Sequence, residues 1–264
     1  MTTLLEPTID LTARKVPLHR LVDVELSKLI DTRAGMWLLI LIGAVIVLVE
    51  AVLVITAINF GEVAPWSVMF AVMATPLGLL LAVLGVMTVT SEWGQRTSLV
   101  TFSLEPRRMR VVLAKLLAGL LATVVLLLFT LVFTAALNPL QATIIGQDAI
   151  WDVPRSQLVG FGILHTSAFF LGFSFGMLIP NTPAALVAYF VFRFVVPGLL
   201  MTLGMFWDWF APVVNWVHFS NALEAVLDVA PTSEAYWHLA SATGLWVVLP
   251  LVLGSVLLVR REIK

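Results

Sequence analysis

The chain has 264 residues, 60% of them hydrophobic and only 12% charged, with a formal net charge of −1 and a mean hydropathy of +1.03. That balance excludes an ordinary soluble domain and points to a polytopic membrane protein. It offers no pooled basic patch for nucleic acid, and the absence of cysteine excludes disulfides, thiolate nucleophiles and Cys-ligated metals.

Met1 to Arg20 is polar, with no apolar core followed by a small-residue cleavage site, so no cleavable signal peptide is expected. Leu18–Arg33 places Leu18, Leu21, Val22, Leu26, Leu29 and Ile30 on one helical face. Arg20, Asp23, Ser27, Lys28 and Asp31 lie on the other. It is too short and too polar to cross a bilayer, and such a helix lies in the interface, as an anchor or as a surface for a partner. Apolar runs long enough for the ~30 Å hydrocarbon core then recur. The first is Met36–Asn59 and the second Pro65–Val89. Thr90–Glu105 forms a charged connection, and the third span, Pro106–Leu137, begins with Pro in its first turn and Glu105 before it. The fourth is Leu158–Ile179. The Pro180–Pro183 turn separates it from the fifth, Ala184–Gly204, because proline breaks a helix and restricts the residue before it. Met205–His238 is too interrupted for a span and too apolar for a solvated loop, and its tryptophans suit a headgroup region, so short helices dipping into the outer leaflet are expected. Leu239–Val259 is the sixth span.

Basic residues cluster before the first span (Arg14, Lys15, Arg20, Lys28, Arg33), between the second and third (Arg96, Arg107, Arg108, Arg110, Lys115) and in the tail (Arg260, Arg261, Lys264). The opposite loops hold Arg155 and many acids. Positive charge marks the cytoplasmic side, which predicts both termini inside. The fold expected is therefore all-α and polytopic. It has six transmembrane helices, an N-terminal interfacial helix, a cytoplasmic helix near residue 100 and a helical outer segment before the sixth span.

No Walker A loop, H-E-x-x-H, G-x-S-x-G or Gly-rich dinucleotide loop occurs. The four histidines are scattered, none at metal-ligand spacing, and His165 reads best as a hydrogen-bonded packing residue. Two charges fall inside spans: Glu50, ~21 Å from the inner end of the first, and Arg193, ~13 Å along the fifth. The ~8 Å offset leaves direct pairing open. Met69, Phe70, Met73 and Thr75 in the second span, with Phe192 and Phe194 in the fifth, are candidates to line an apolar route; packing or lipid contact is the alternative. In the 90–105 connection, Trp93, Thr97, Val100 and Leu104 form a stripe with Glu92, Gln95 and Arg96 exposed. A loop that only stops translocation and a rigid helix that receives force from a cytoplasmic machine both fit these residues.

The arrangement of Glu92 and Thr97, then Leu104, Pro106, Arg107 and Arg108, with Lys115 leading into an apolar helix, resembles the bacterial type-2 ABC-transporter permeases. The resemblance extends over the whole chain in span number and in the flanking helices. It implies that Glu92 opens a cytoplasmic coupling helix, and that Glu92, Trp93, Gln95, Arg96, Thr97, Val100 and Thr101 contact an ATPase encoded separately. It further implies two permease copies, as homodimer or heterodimer, with two ATPase subunits in a bacterial plasma membrane. The first, second and fifth spans would meet around the route. ATP and Mg would sit on the partner, with no cofactor and no catalytic residue on this chain. A hydrophobic or amphipathic cargo (drug, peptide or lipid) is the expected class, since no cytoplasmic element for long glycans is visible. An ion- or proton-coupled carrier using Glu50 and Arg193 is the alternative, although no repeat between the two three-span halves is found.

Overall fold

The computed structural model describes residues 16–95, 97–227 and 232–260. Among these, every regular element is helical. Arg14, Lys15, Arg96, Asp228, Arg261 and Lys264 lie outside the described residues. The chain runs through α1 (Leu18–Asp31), α2 (Arg33–Phe60), α3 (Trp66–Gly94), α4 (Ser98–Leu104), α5 (Arg108–Ile145) and α6 (Arg155–Leu178). Then come α7 (Thr182–Phe190), a π-helical turn (Val191–Val195), α8 (Val196–Phe206), α9 (Ala211–Val217) and α10 (Phe219–Leu227). It ends with α11 (Ser233–Thr243), a second π-helical turn (Gly244–Val248) and α12 (Leu249–Arg260). Among the described residues six helices are long and apolar enough to cross a membrane: α2, α3, α5, α6, the continuous Thr182–Phe206 rod and the continuous Ser233–Arg260 rod.

Local chemistry sets the ends. The Thr32 hydroxyl accepts from Gly35 N–H at 3.2 Å and breaks α1 from α2. Gly61, at φ 68, closes α2 in the left-handed region that glycine tolerates. Asn181 accepts from Ala184 N–H at 3.0 Å to start α7, and Thr232 accepts from Ala235 N–H at 3.2 Å to start α11.

Several boundaries differ from the hydropathy reading. α3 runs past Val89 to Gly94, and α5 starts only at Arg108, which leaves Pro106 outside its first turn. α5 continues past Leu137, through Pro139, to Ile145. Polar residues around that proline are tied to neighbouring chain: Asn138 donates to the Ile150 carbonyl at 3.0 Å, and Gln141 to the Ala64 carbonyl at 2.9 Å. The last rod begins at Ser233, so Tyr236, Trp237 and His238 belong to it and not to the segment before it. A helix that starts at a Thr cap with Glu234 in its first turn needs no apolar residue to begin.

Both π-helical turns have the same cause. Pro197 and Pro250 have no N–H to offer the carbonyls four residues back, and each lies two residues beyond its turn. The ladder slips to i→i−5 bonding, seen as Val196 N–H to Val191 O and Leu249 N–H to Gly244 O. The turns also meet: Phe192 of the first lies 4.6 Å from Trp246 of the second, ring to ring.

The bundle is organised on the α3–α6 contact. A Cβ at Gly172 would lie 1.9 Å from the Ala82 carbonyl oxygen, and one at Gly85 2.3 Å from that of Phe169. Small residues let two apolar helices approach backbone to backbone where lipid supplies no hydrophobic drive. Around this seam lie a core of α2, α3 and α5 side chains (Ile42, Ile46, Met73, Leu126) and a second core that α10 completes with Phe219, Ala222 and Leu223. α1 lies across α5, with Val22 against Ala114 and Ala118. Ile30, placed on the apolar face from spacing, is 59% exposed.

Candidate functional site

The most organised polar structure sits where α1, α3 and α5 converge. Lys28 contacts Glu25 at 2.7 Å and Glu92 at 2.5 Å. Lys115 contacts Glu25 at 2.7 Å and Glu92 at 3.1 Å. The two acids and two lysines thus alternate in a closed, neutral set. Glu25, Glu92 and Lys115 are buried, which is costly unless every charge is paired and hydrogen-bonded. Burial disfavours the Lys28 ammonium, but its hydrogen bonds to Glu25 and Glu92 and their negative charges outweigh that, so its pKa stands above the ordinary lysine value.

Glu92 is the junction. It also accepts from the Thr101 hydroxyl at 2.9 Å, which fastens α4 to the buried charges. The expectation that Glu92 is exposed and opens the short helix needs correcting. Glu92 lies in the last turn of α3 and is 4% exposed, because two lysines from other helices claim its carboxylate. A second ion pair, Glu105 with Arg110 at 2.9 Å, anchors the far end of α4. Arg110 also donates to the Val16 carbonyl, and Arg108 to the Leu258 carbonyl of α12 while facing the Phe102 ring. The basic residues at the head of α5 therefore tie α4 to α1 and α12.

The other side of α4 is bare. Leu99 is 51% exposed, Val100 60% and Leu104 77%, with Gln95 and Thr97 also exposed. Of the stripe read from spacing, only Trp93 turns inward, toward Phe102 at 6.5 Å. Beneath this edge, between α4 and α1, runs a groove of about 550 Å³ that reaches Lys28 and Glu92. Arg96 lies outside the described residues.

Within the spans, the candidate route residues separate. Met69, Phe70 and Met73 are fully packed, Phe70 edge-on to Trp66 and Phe161. Phe194 is 60% exposed on the outer surface. Thr75, Phe192 and Arg193 come together on a cavity of about 180 Å³ shared with Tyr189, Ser220 and Glu224. Glu50 is fully buried, and neither carboxylate oxygen has a hydrogen-bond partner among the described residues. Glu50 and Arg193 therefore do not pair within one chain. His165 donates from Nδ1–H to the Phe161 carbonyl at 2.7 Å, while its Nε2 is buried with no hydrogen-bond partner among the described residues.

Glu25, Lys28 and Glu224 were not singled out as functional from the sequence. Glu25 carries a readable signal: it falls between Val22 and Leu29 on the buried face of α1, an acid in an apolar stripe that requires a partner. Glu224 carries none, since its position depends on how α10 inserts.

Among the described residues no group of three or more His, Asp or Glu could hold a metal ion. No protein-family model, no curated protein and no solved structure matches the chain.

Proposed function

We propose that the chain is the transmembrane subunit of an ATP-driven exporter of the type-2 ABC permease kind. It works as a homodimer or heterodimer in a bacterial plasma membrane, with both termini in the cytoplasm and a separate ATPase supplying ATP and Mg. The observation that carries this is α4. One side is fastened through Thr101 and Glu92 to a buried charge network spanning α1, α3 and α5. The other side presents Leu99, Val100 and Leu104 bare. A loop that merely stopped translocation would need neither the clamp nor the apolar edge. A helix that takes a push from a cytoplasmic subunit needs both: an apolar contact to grip and a rigid connection to several spans. The cargo class consistent with this reading is amphipathic.

The test is co-expression with an ABC ATPase encoded beside the permease. The isolated chain should hydrolyse no ATP, and the pair should purify in equal numbers. Val100→Glu and Leu104→Glu should abolish complex formation while leaving membrane insertion intact. ATP turnover by the permease alone, or efflux unaffected by both substitutions, would overturn the reading. The unpartnered Glu50 and Arg193 favour the carrier alternative, which requires transport driven by a proton gradient with no ATPase present.

A further inference from the structure

The cavity beside the fifth span carries two opposite charges that do not touch. Arg193 projects from the π-helical turn near the middle of the Thr182–Phe206 rod. Glu224 arrives from α10, which is inserted against α6 deeply enough for Leu223 to pack in one core with Ala82 and Leu171. Both line the same cavity of about 180 Å³. No hydrogen bond or ion pair joins either of them to any described residue.

A guanidinium within a span is costly without a partner or water. Here Glu224 lines the same cavity but makes no ion pair with the guanidinium. An occupant with an anionic group at Arg193 and an N–H cation at Glu224 would satisfy both at once. A purely anionic occupant would face the exposed Glu224 across the same cavity, and a purely cationic one the half-buried Arg193, each a like-charge contact. The hydroxyls of Thr75, Tyr189 and Ser220 add neutral hydrogen-bonding positions. Size narrows the class further: drug-sized ligands take about 300–1,000 Å³, so this space holds a headgroup and not a whole amphiphile. The remaining wall is apolar, with Leu79, Leu164 and Leu223, and the outer side of the same rod exposes Val191, Phe194 and Val195. The rest of the occupant is therefore an apolar chain.

We infer that this cavity binds the zwitterionic headgroup of an amphipathic molecule, an oxyanion at Arg193 together with a primary ammonium at Glu224. The inference rests on the export reading where it names a cargo class. Its test reads binding with no ATPase present, so it can fail without touching export, and export can fail without touching it.

The experiment uses the purified full chain in a maltoside micelle and counts bound amphiphile by native mass spectrometry. Two zwitterions distinguish the source of the oxyanion: lysophosphatidylethanolamine carries a phosphate, and Nε-lauroyl-lysine a carboxylate. Laurate and dodecylamine carry one charge each. The wild-type chain should retain at least one zwitterion in preference to both single-charge probes. Arg193→Gln and Glu224→Gln should each weaken that binding roughly tenfold, the scale of one charged hydrogen bond. Laurate held as tightly as the zwitterions, with Glu224→Gln silent, would reduce the cavity to an anion site and overturn the inference. Equal retention of all four probes by the wild-type chain would overturn it too, and that comparison needs no variant to fold.

Discussion

Lys115 has almost no solvent to fall back on: its side chain is 5% exposed and its ammonium bridges Glu25 and Glu92 from two other helices. Lys115→Met leaves two buried carboxylates sharing Lys28 alone. Breaking a buried ion set from one side costs about 3–5 kcal/mol, mostly for the stranded charge. The expected result is a marked fall in the unfolding temperature in detergent, largely recovered when Glu25→Gln removes the excess acid, with strong non-additivity across the cycle. Equal losses in single and double variants would show that the contacts carry no coupling. The pH dependence follows from Lys28. Its folded pKa is raised above 10.5, so its contribution is fully present below that value and is lost only as pH rises through the folded pKa. Neutral pH leaves this lysine untouched. From sequence, Glu92 was legible as an acid of consequence, but its burial was not, because its lysines come from α1 and α5 and no local pattern reports such partners.

At the scale of elements, the α3–α6 seam decides whether the bundle assembles. The spacing Gly172, Gly176 on α6 faces Ala82 and Val86 on α3, and a Cβ at Gly172 would meet backbone, which cannot swing aside. Gly172→Ala should therefore lower the yield of folded protein and its unfolding temperature, although alanine is the better helix former by about 1 kcal/mol. Gly162, on the same helix, has open space where a Cβ would go, so Gly162→Ala should be neutral or slightly stabilising. If both variants behave alike, helix propensity and not close approach governs the seam. The spans themselves were readable from hydropathy, since length and apolar content suffice to mark them. The π-helical turns were not, although Pro197 and Pro250 were in plain view. A proline within a helix can kink it, break it or shift its ladder, and the local sequence does not choose among the three.

For the whole molecule, the two ends of the bundle differ in chemistry, and the difference gives a test of orientation. One end gathers Lys28, Arg108, Arg110 and Lys115 around α4. The other is stitched by neutral and acidic groups, with Ser67 donating to Asp152 at 2.9 Å through its N–H. The Ser67 hydroxyl also donates to it at 2.5 Å, and that bond first, with the N–H bond, holds the Asp152 carboxyl below the usual aspartate value. Exposed aromatic residues, Trp207 at 50% and Trp209 at 70%, fringe the acidic end, as expected near headgroups. Lys and Arg bias sets the inside, so the proposed export function requires the basic end to face the cytoplasm. The chain contains no cysteine, so single cysteines report position without a background. Trp209→Cys should react with a membrane-impermeant maleimide on intact cells, whereas Val100→Cys, 60% exposed on α4, should react only after the membrane is opened. The reverse pattern would place α4 outside, beyond the reach of any cytoplasmic ATPase, and would remove the export reading together with the orientation. Labelling of Val100→Cys that then disappears when an ATPase is co-expressed would locate the docking edge on the same three apolar side chains that the bundle leaves bare.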